Sequence, residues 1–70
     1  MIKFDRPNTL NGALLIEELA AAGVNVKADM SGIKAPFIDG NGDLYLDILV
    51  KDKAKAAAVI ANHNGMISLA

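Results

Sequence analysis

The chain has no cysteine, no tryptophan, two prolines and only three aromatic residues, Phe4, Phe37 and Tyr45. Without thiols there is neither a disulfide framework nor a thiolate metal site, so a disulfide-stapled secreted scaffold is excluded. Apolar runs such as Ala13 to Ile16 and Leu19 to Ala22 fall far short of the ~20 residues that cross a bilayer. Met1-Ile2-Lys3-Phe4-Asp5-Arg6-Pro7 carries an acidic residue and no apolar stretch, unlike a signal peptide, and a cytoplasmic location is expected. A net charge of −1, spread along the chain, supplies no cationic field for nucleic acid and no polybasic surface for anionic lipid. The expectation is therefore no nucleic-acid and no membrane partner.

What is present is apolar and small. Hydrophobic residues make up 53% of the 70 residues and charged ones 21%, enough burial for one α+β domain over 1–70 rather than a disordered chain. At this length a core leaves only ~3–5 kcal/mol of net stability.

Ile2 and Phe4 alternate with Lys3 and Asp5, which predicts a half-buried strand that Pro7 ends. Asn11 or Thr9 is the N-cap of a first helix. Its inner face is read as Leu15, Ile16, Leu19 and Ala20, with Glu17 and Glu18 pointing away and Gly23 as the stop. Val24, Val26, Ala28 and Met30 alternate with polar residues and predict a second strand, followed by a loop over 31–36. Phe37 to Leu44 enclose the dipeptides Asp39-Gly40 and Asn41-Gly42, a hairpin signal. Leu44, Leu46, Ile48 and Val50 form the inner face of the next strand, with Tyr45, Asp47 and Leu49 outside. Asp52 is the expected cap of a second helix reaching Asn64, with Ala56, Val59, Ile60 and His63 on one side and Gly65 as its stop. Met66 to Leu69 predicts a short last strand.

The order β-α-β-β-α-β is that of a ferredoxin-like two-layer sandwich, an antiparallel sheet with two helices on one face. Antiparallel helices would bring Lys53 and Lys55 near Glu17 and Glu18, in exposed pairs worth ~0–1 kcal/mol.

Asp39, Asn41 and Asp43, with Asp47 beyond, look like the opening of a calcium loop. The pattern fails at its sixth position, Leu44, which should be glycine, and at its twelfth, Val50, which should be a bidentate Glu. An Asx/Gly turn explains the same residues through backbone geometry alone. His63, the sole histidine, lacks the companions of a zinc site and is read as a capping or partly buried side chain near a helix end. Ser31 and Ser68 lack the Gly-flanked setting of an elbow nucleophile, and no phosphate-loop motif is present. No cofactor and no enzymatic activity are expected. The open sheet face is read as Lys3, Asp5, Asn25, Lys27, Asp29, Tyr45, Asp47, Leu49 and Met66, and Tyr45, Leu49 and Met66 are its candidate interface residues.

Arg6-Pro7-Asn8-Thr9-Leu10-Asn11-Gly12-Ala13, Leu44-Tyr45-Leu46-Asp47-Ile48 and the alanine-rich stretch from Lys53 to Gly65 resemble short proteins of unassigned role encoded in tailed-bacteriophage genomes. The resemblance covers most of the chain and carries over no functional residue; it implies a virion-associated or accessory role. The functional expectation is a non-catalytic interaction or structural module that self-associates or docks on a protein partner. The alternative, a small-ligand or ion-binding regulatory domain, rests on fold analogy.

Overall fold

A computed structural model describes residues 1–66 and shows a small α+β arrangement, two helices with a three-stranded antiparallel sheet. The first alternation becomes strand β1 (Ile2–Phe4). Helix α1 (Gly12–Ala21) comes next, capped by Asn11, whose side chain accepts the Leu14 N–H at 3.2 Å. It ends as expected at Gly23, where φ is 85°. There the Val24 N–H reaches the Leu19 carbonyl at 2.8 Å and the Gly23 N–H that of Ala20 at 3.0 Å, a Schellman motif that also seats Val24 against the core.

Strands β2 (Phe37–Ile38) and β3 (Leu44–Leu46) form the expected hairpin, and the sheet order is β1-β3-β2. The register sets Lys3 opposite Tyr45 and Tyr45 opposite Phe37. The turn bond from the Asp39 N–H to the Asp43 carbonyl, 3.1 Å, fixes the alternation of the ladder. Tyr45 addresses its backbone groups to β2, while Leu44 and Leu46 address theirs to β1. The N–H and C=O of Lys3 then point away from the sheet, along the outer edge of β1.

Ile2, Phe4, Ile38, Leu44 and Leu46 share the inner face. They pack with Leu15 and Leu19 of α1, with Val24 and Val26, and with Ala56 and Ile60 of helix α2 (Lys53–Asn62). Burying each Leu side chain contributes ~1.5–3 kcal/mol, so this single cluster provides most of what offsets chain entropy. The helices run antiparallel: His63, after α2, reaches the start of α1, and Lys55, in the first turn of α2, lies over Gly23 at its end.

Several expectations are corrected. Val24 to Met30 is not a strand, although Val24 and Val26 are buried as their alternation requires. Both edges of β3 are taken, by β1 and β2, and the segment gains one ladder-like bond beyond β3, from the Lys27 N–H to the Asp47 carbonyl at 2.9 Å. Asp29 then turns the chain by accepting the Ser31 and Ile33 N–H groups at 2.8 and 3.0 Å. On α1 the third buried residue is Leu14, while Ala20 is exposed.

Val50 is not an inner strand residue. It is 78% exposed and opens a 3₁₀ turn (Val50–Asp52), so the chain leaves the sheet before reaching it. Asp52 makes no side-chain cap bond, and α2 ends at Asn62 rather than Asn64. Among the described residues the ion pair is Lys3 with Asp43, and Glu18 is engaged by the His63 ring; Lys53 and Lys55 join neither Glu17 nor Glu18. Of the expected last strand, Ile67 to Leu69 lies outside the described residues. The full β-α-β-β-α-β order is thus seen only as three strands and two helices.

Candidate functional site

Two regions carry chemistry beyond packing. The first surrounds His63, the one buried polar residue among those described. Its Nε2 faces the Asn11 N–H at 3.1 Å, and since that group can only donate, Nε2 is the acceptor. The proton of the neutral ring is then on Nδ1, which donates to the Glu18 carboxylate at 2.5 Å. Both nitrogens are committed, and the ring joins the end of α2 to the start and the middle of α1. Glu18 is half-buried for this reason and does not point away; the sequence pattern alone had placed it with Glu17 on the outer face.

The strap after His63 completes the junction. The Gly65 N–H donates to the Thr9 carbonyl and Oγ1 at 3.2 and 3.1 Å, and the Thr9 hydroxyl donates to Asn64 Oδ1 at 3.1 Å. Gly65 is required here by proximity. A Cβ at that position would lie 2.6 Å from the Asn11 nitrogen and 2.7 Å from the Leu10 carbonyl carbon. It does not supply the positive φ of a helix stop; the glycines that adopt one are Gly23, Gly32 and Gly42.

The second region is the open face of the sheet. Lys3, Tyr45 and Phe37 stand in one row across β1, β3 and β2, with the Phe37 and Tyr45 ring centroids 6.1 Å apart and tilted by 55°. This is the offset geometry that aromatic quadrupoles favour. Lys3 Nζ pairs with the Asp43 carboxylate at 3.3 Å, and the hydrogen bond and charge of Asp43 hold the ammonium above its ordinary range. Asp39 is pushed below the usual carboxylate range, first by the Asp43 N–H. The interaction with the Asp39 carboxylate raises the Tyr45 phenol.

Sequence reasoning left Tyr45 as the only aromatic on this face, and Phe37 beside it was missed. The signal was there: Ile38 and Leu44 flank the turn and both face inward, so their outer neighbours Phe37 and Tyr45 must share the other side. Phe37, Met1 and Ile33, all exposed, line one cavity of about 220 Å³ at the margin of the face.

Of the candidate interface residues, Tyr45 lies at the centre of the open face. Leu49 is exposed just past β3 and lines a hollow that shares Lys27 and Asp47 with the Phe37 cavity. Met66 lies apart, beyond the opposite end of β1, in a groove with Asp5 and Thr9. Asp39, Asn41 and Asp43 form the hairpin turn, where Asp39 Oδ1 accepts the Asn41 and Asp43 N–H groups at 2.9 Å each. That oxygen serves the backbone. Among the described residues no three His, Cys, Asp or Glu side chains gather as a metal site.

Comparison of the chain with protein-family models, curated proteins and solved structures returns no match.

Proposed function

We propose that this chain is a non-catalytic interaction or structural module that acts through its open sheet face, by self-association or by docking on a larger protein assembly. The observation that carries the reading is the apolar band of Met1, Ile33, Phe37 and Tyr45, exposed or half-buried and contiguous, with Leu49 at its margin. Contiguous exposed apolar area on a domain this small costs solubility and is the usual mark of an interface. The aromatic pair supplies rigid contact area, and Lys3 with Asp43 gives the band a polar rim. The commitment of both His63 nitrogens to the fold supports a role without acid–base chemistry. A phage-encoded virion or accessory component, with the three strands belonging to a four-stranded ferredoxin-like sheet, is the finer form of the same reading.

The test is the double variant Phe37→Ser with Tyr45→Ser. It keeps the core residues and should keep the wild-type circular dichroism spectrum. Wild-type protein is expected to assemble with rising concentration in light scattering, and the variant to stay monomeric. Identical masses for the two, together with identical binding to proteins of the native source, would remove the open face from consideration.

A further inference from the structure

Asparagine is followed by glycine three times in the chain, at Asn11-Gly12, Asn41-Gly42 and Asn64-Gly65. In this dipeptide no side chain shields the glycine nitrogen, which can attack the side-chain carbonyl carbon of the asparagine before it. Asparagine is thermolabile for this reason. Folding decides which of the three reacts, because the ring closes only when the nitrogen is released and the carboxamide can swing onto it.

Two of the dipeptides are tied into the His63 junction. Asn11 commits its side chain to the Leu14 N–H at 3.2 Å, its own N–H to the His63 ring and its carbonyl to the Leu15 N–H at 2.9 Å. The Gly65 N–H is held by both oxygens of Thr9, while Asn64 Oδ1 accepts from the Thr9 hydroxyl and the Met66 N–H. Freeing either dipeptide means undocking the two helices.

The third stands at the tip of the hairpin. Asn41 is exposed, and among the described residues its carboxamide makes no hydrogen bond. The Gly42 N–H is held by the Asp39 carbonyl at 3.1 Å, and the backbone N–H bonds of the turn all lie within residues 39 to 43. Such a tip opens by local fraying, at far lower cost than unfolding of the whole domain. Arg6 Nη1 lies 3.7 Å from the β-carbon position of Gly42, a cation beside the amide that must lose its proton. It offsets the carboxylates of Asp39 and Asp43 in the same turn.

We propose that Asn41-Gly42 is a site of spontaneous deamidation, and that the fold confines the reaction to it. The Gly42 nitrogen loses its proton and bonds to the Asn41 side-chain carbonyl carbon. The bond from that carbon to the amide nitrogen breaks, and ammonia leaves with the proton. Water then opens the five-membered succinimide at either carbonyl, giving aspartate or isoaspartate. Each conversion adds one negative charge beside Asp39 and Asp43, to a chain whose net charge is −1. Isoaspartate also adds one carbon to the backbone between residues 41 and 42. The bond from the Asp39 N–H to the Asp43 carbonyl, which sets the ladder, then loses its geometry, and the pairing of β2 with β3 loosens.

The full chain held in warm neutral buffer, followed by peptide mapping that separates asparagine, aspartate and isoaspartate forms, tests this. In the folded chain Asn41 is expected to convert at least roughly tenfold faster than Asn11 or Asn64, and in denaturant the three should convert at comparable rates. Asp39→Ala should quicken conversion at Asn41 alone, and His63→Ala at Asn11 and Asn64, each by several-fold. Equal rates at the three positions in the folded chain would overturn the proposal, as would conversion first at Asn11 or Asn64. An Asn41 that stays intact in the folded chain for a time in which the denatured chain converts would also overturn it. In the purified isoaspartyl form the Tyr45 amide, which pairs with β2, should exchange faster; an unchanged rate would remove the effect on the sheet. None of this draws on the reading of the open face, and the Phe37→Ser with Tyr45→Ser variant should leave the order of the three rates as it is.

Discussion

The His63 junction and the Asp39 turn both consume polar groups, over opposite ranges of the chain. Asp39 satisfies N–H groups two and four residues away, at Asn41 and Asp43. His63 and the strap behind it reach Glu18, Asn11 and Thr9 across 45 to 56 residues. The first arrangement is closed within five consecutive residues. The second exists only when both helices are docked, and it fixes how they dock.

The contrast is broken most severely at His63. His63→Ala leaves the Asn11 N–H without its acceptor, strips Glu18 of its partner and opens a cavity, a loss of about 2–4 kcal/mol. That is most of the ~3–5 kcal/mol expected for this size, so chemical denaturation should show a midpoint far below that of wild type, with a folded population still present in water. His63→Phe retains bulk and removes only the polar links, and is expected to fall between wild type and alanine. Next comes Gly65→Ala, whose methyl must displace the backbone of Leu10 and Asn11; overpacking of this kind costs about 1–3 kcal/mol, read as a shift in urea midpoint. Thr9→Val removes the hydroxyl shared by Asn64 and Gly65 while Gly65 keeps the Thr9 carbonyl, a loss of about 0.5–1.5 kcal/mol.

The smallest effect belongs to the turn. Asp39 titrates below its ordinary value, chiefly because its carboxylate holds the Asp43 N–H, so its contribution is complete above the ordinary aspartate value of 3.8. It is lost only as acid carries pH down through the lower folded value. Amide exchange at Asn41 and Asp43 should therefore quicken below that range, and Asp39→Ala should show quickened exchange at neutral pH with little change in denaturation midpoint. A large drop in midpoint would mean the turn governs the register of the hairpin more than its local bonds indicate. At the alkaline end, Lys3 and Tyr45 are both raised, so what they contribute is present below their ordinary values and lost as pH rises through the folded ones.

The same division accounts for what could be read in advance. The Asn11 cap, the Gly23 stop and the hairpin turn each depend on neighbours within a few residues, and each is where sequence reasoning placed it. Val24 to Met30 carries a faithful strand pattern, yet alternation reports which side chains are buried and says nothing about whether a ladder edge is free. Both edges of β3 are held by β1 and β2 instead. His63 was read against its own helix end, where charge would matter, whereas its ring serves the start of the other helix as an acceptor. Gly65 looked like a conformational stop and is a point of contact between two backbones. Those roles depend on residues half a chain away, which no local pattern encodes.

The length of the loops closed by the His63 junction also bears on the order of events in folding. Contacts separated by 45 to 56 residues in a chain of 70 are entropically late to form, after the hairpin and the helix caps. Stabilisation gained after the transition state slows escape from the native basin without hastening arrival. In a chevron, His63→Ala should lift the unfolding limb and leave the refolding limb almost where it was, making this ring a determinant of how long the folded molecule lasts.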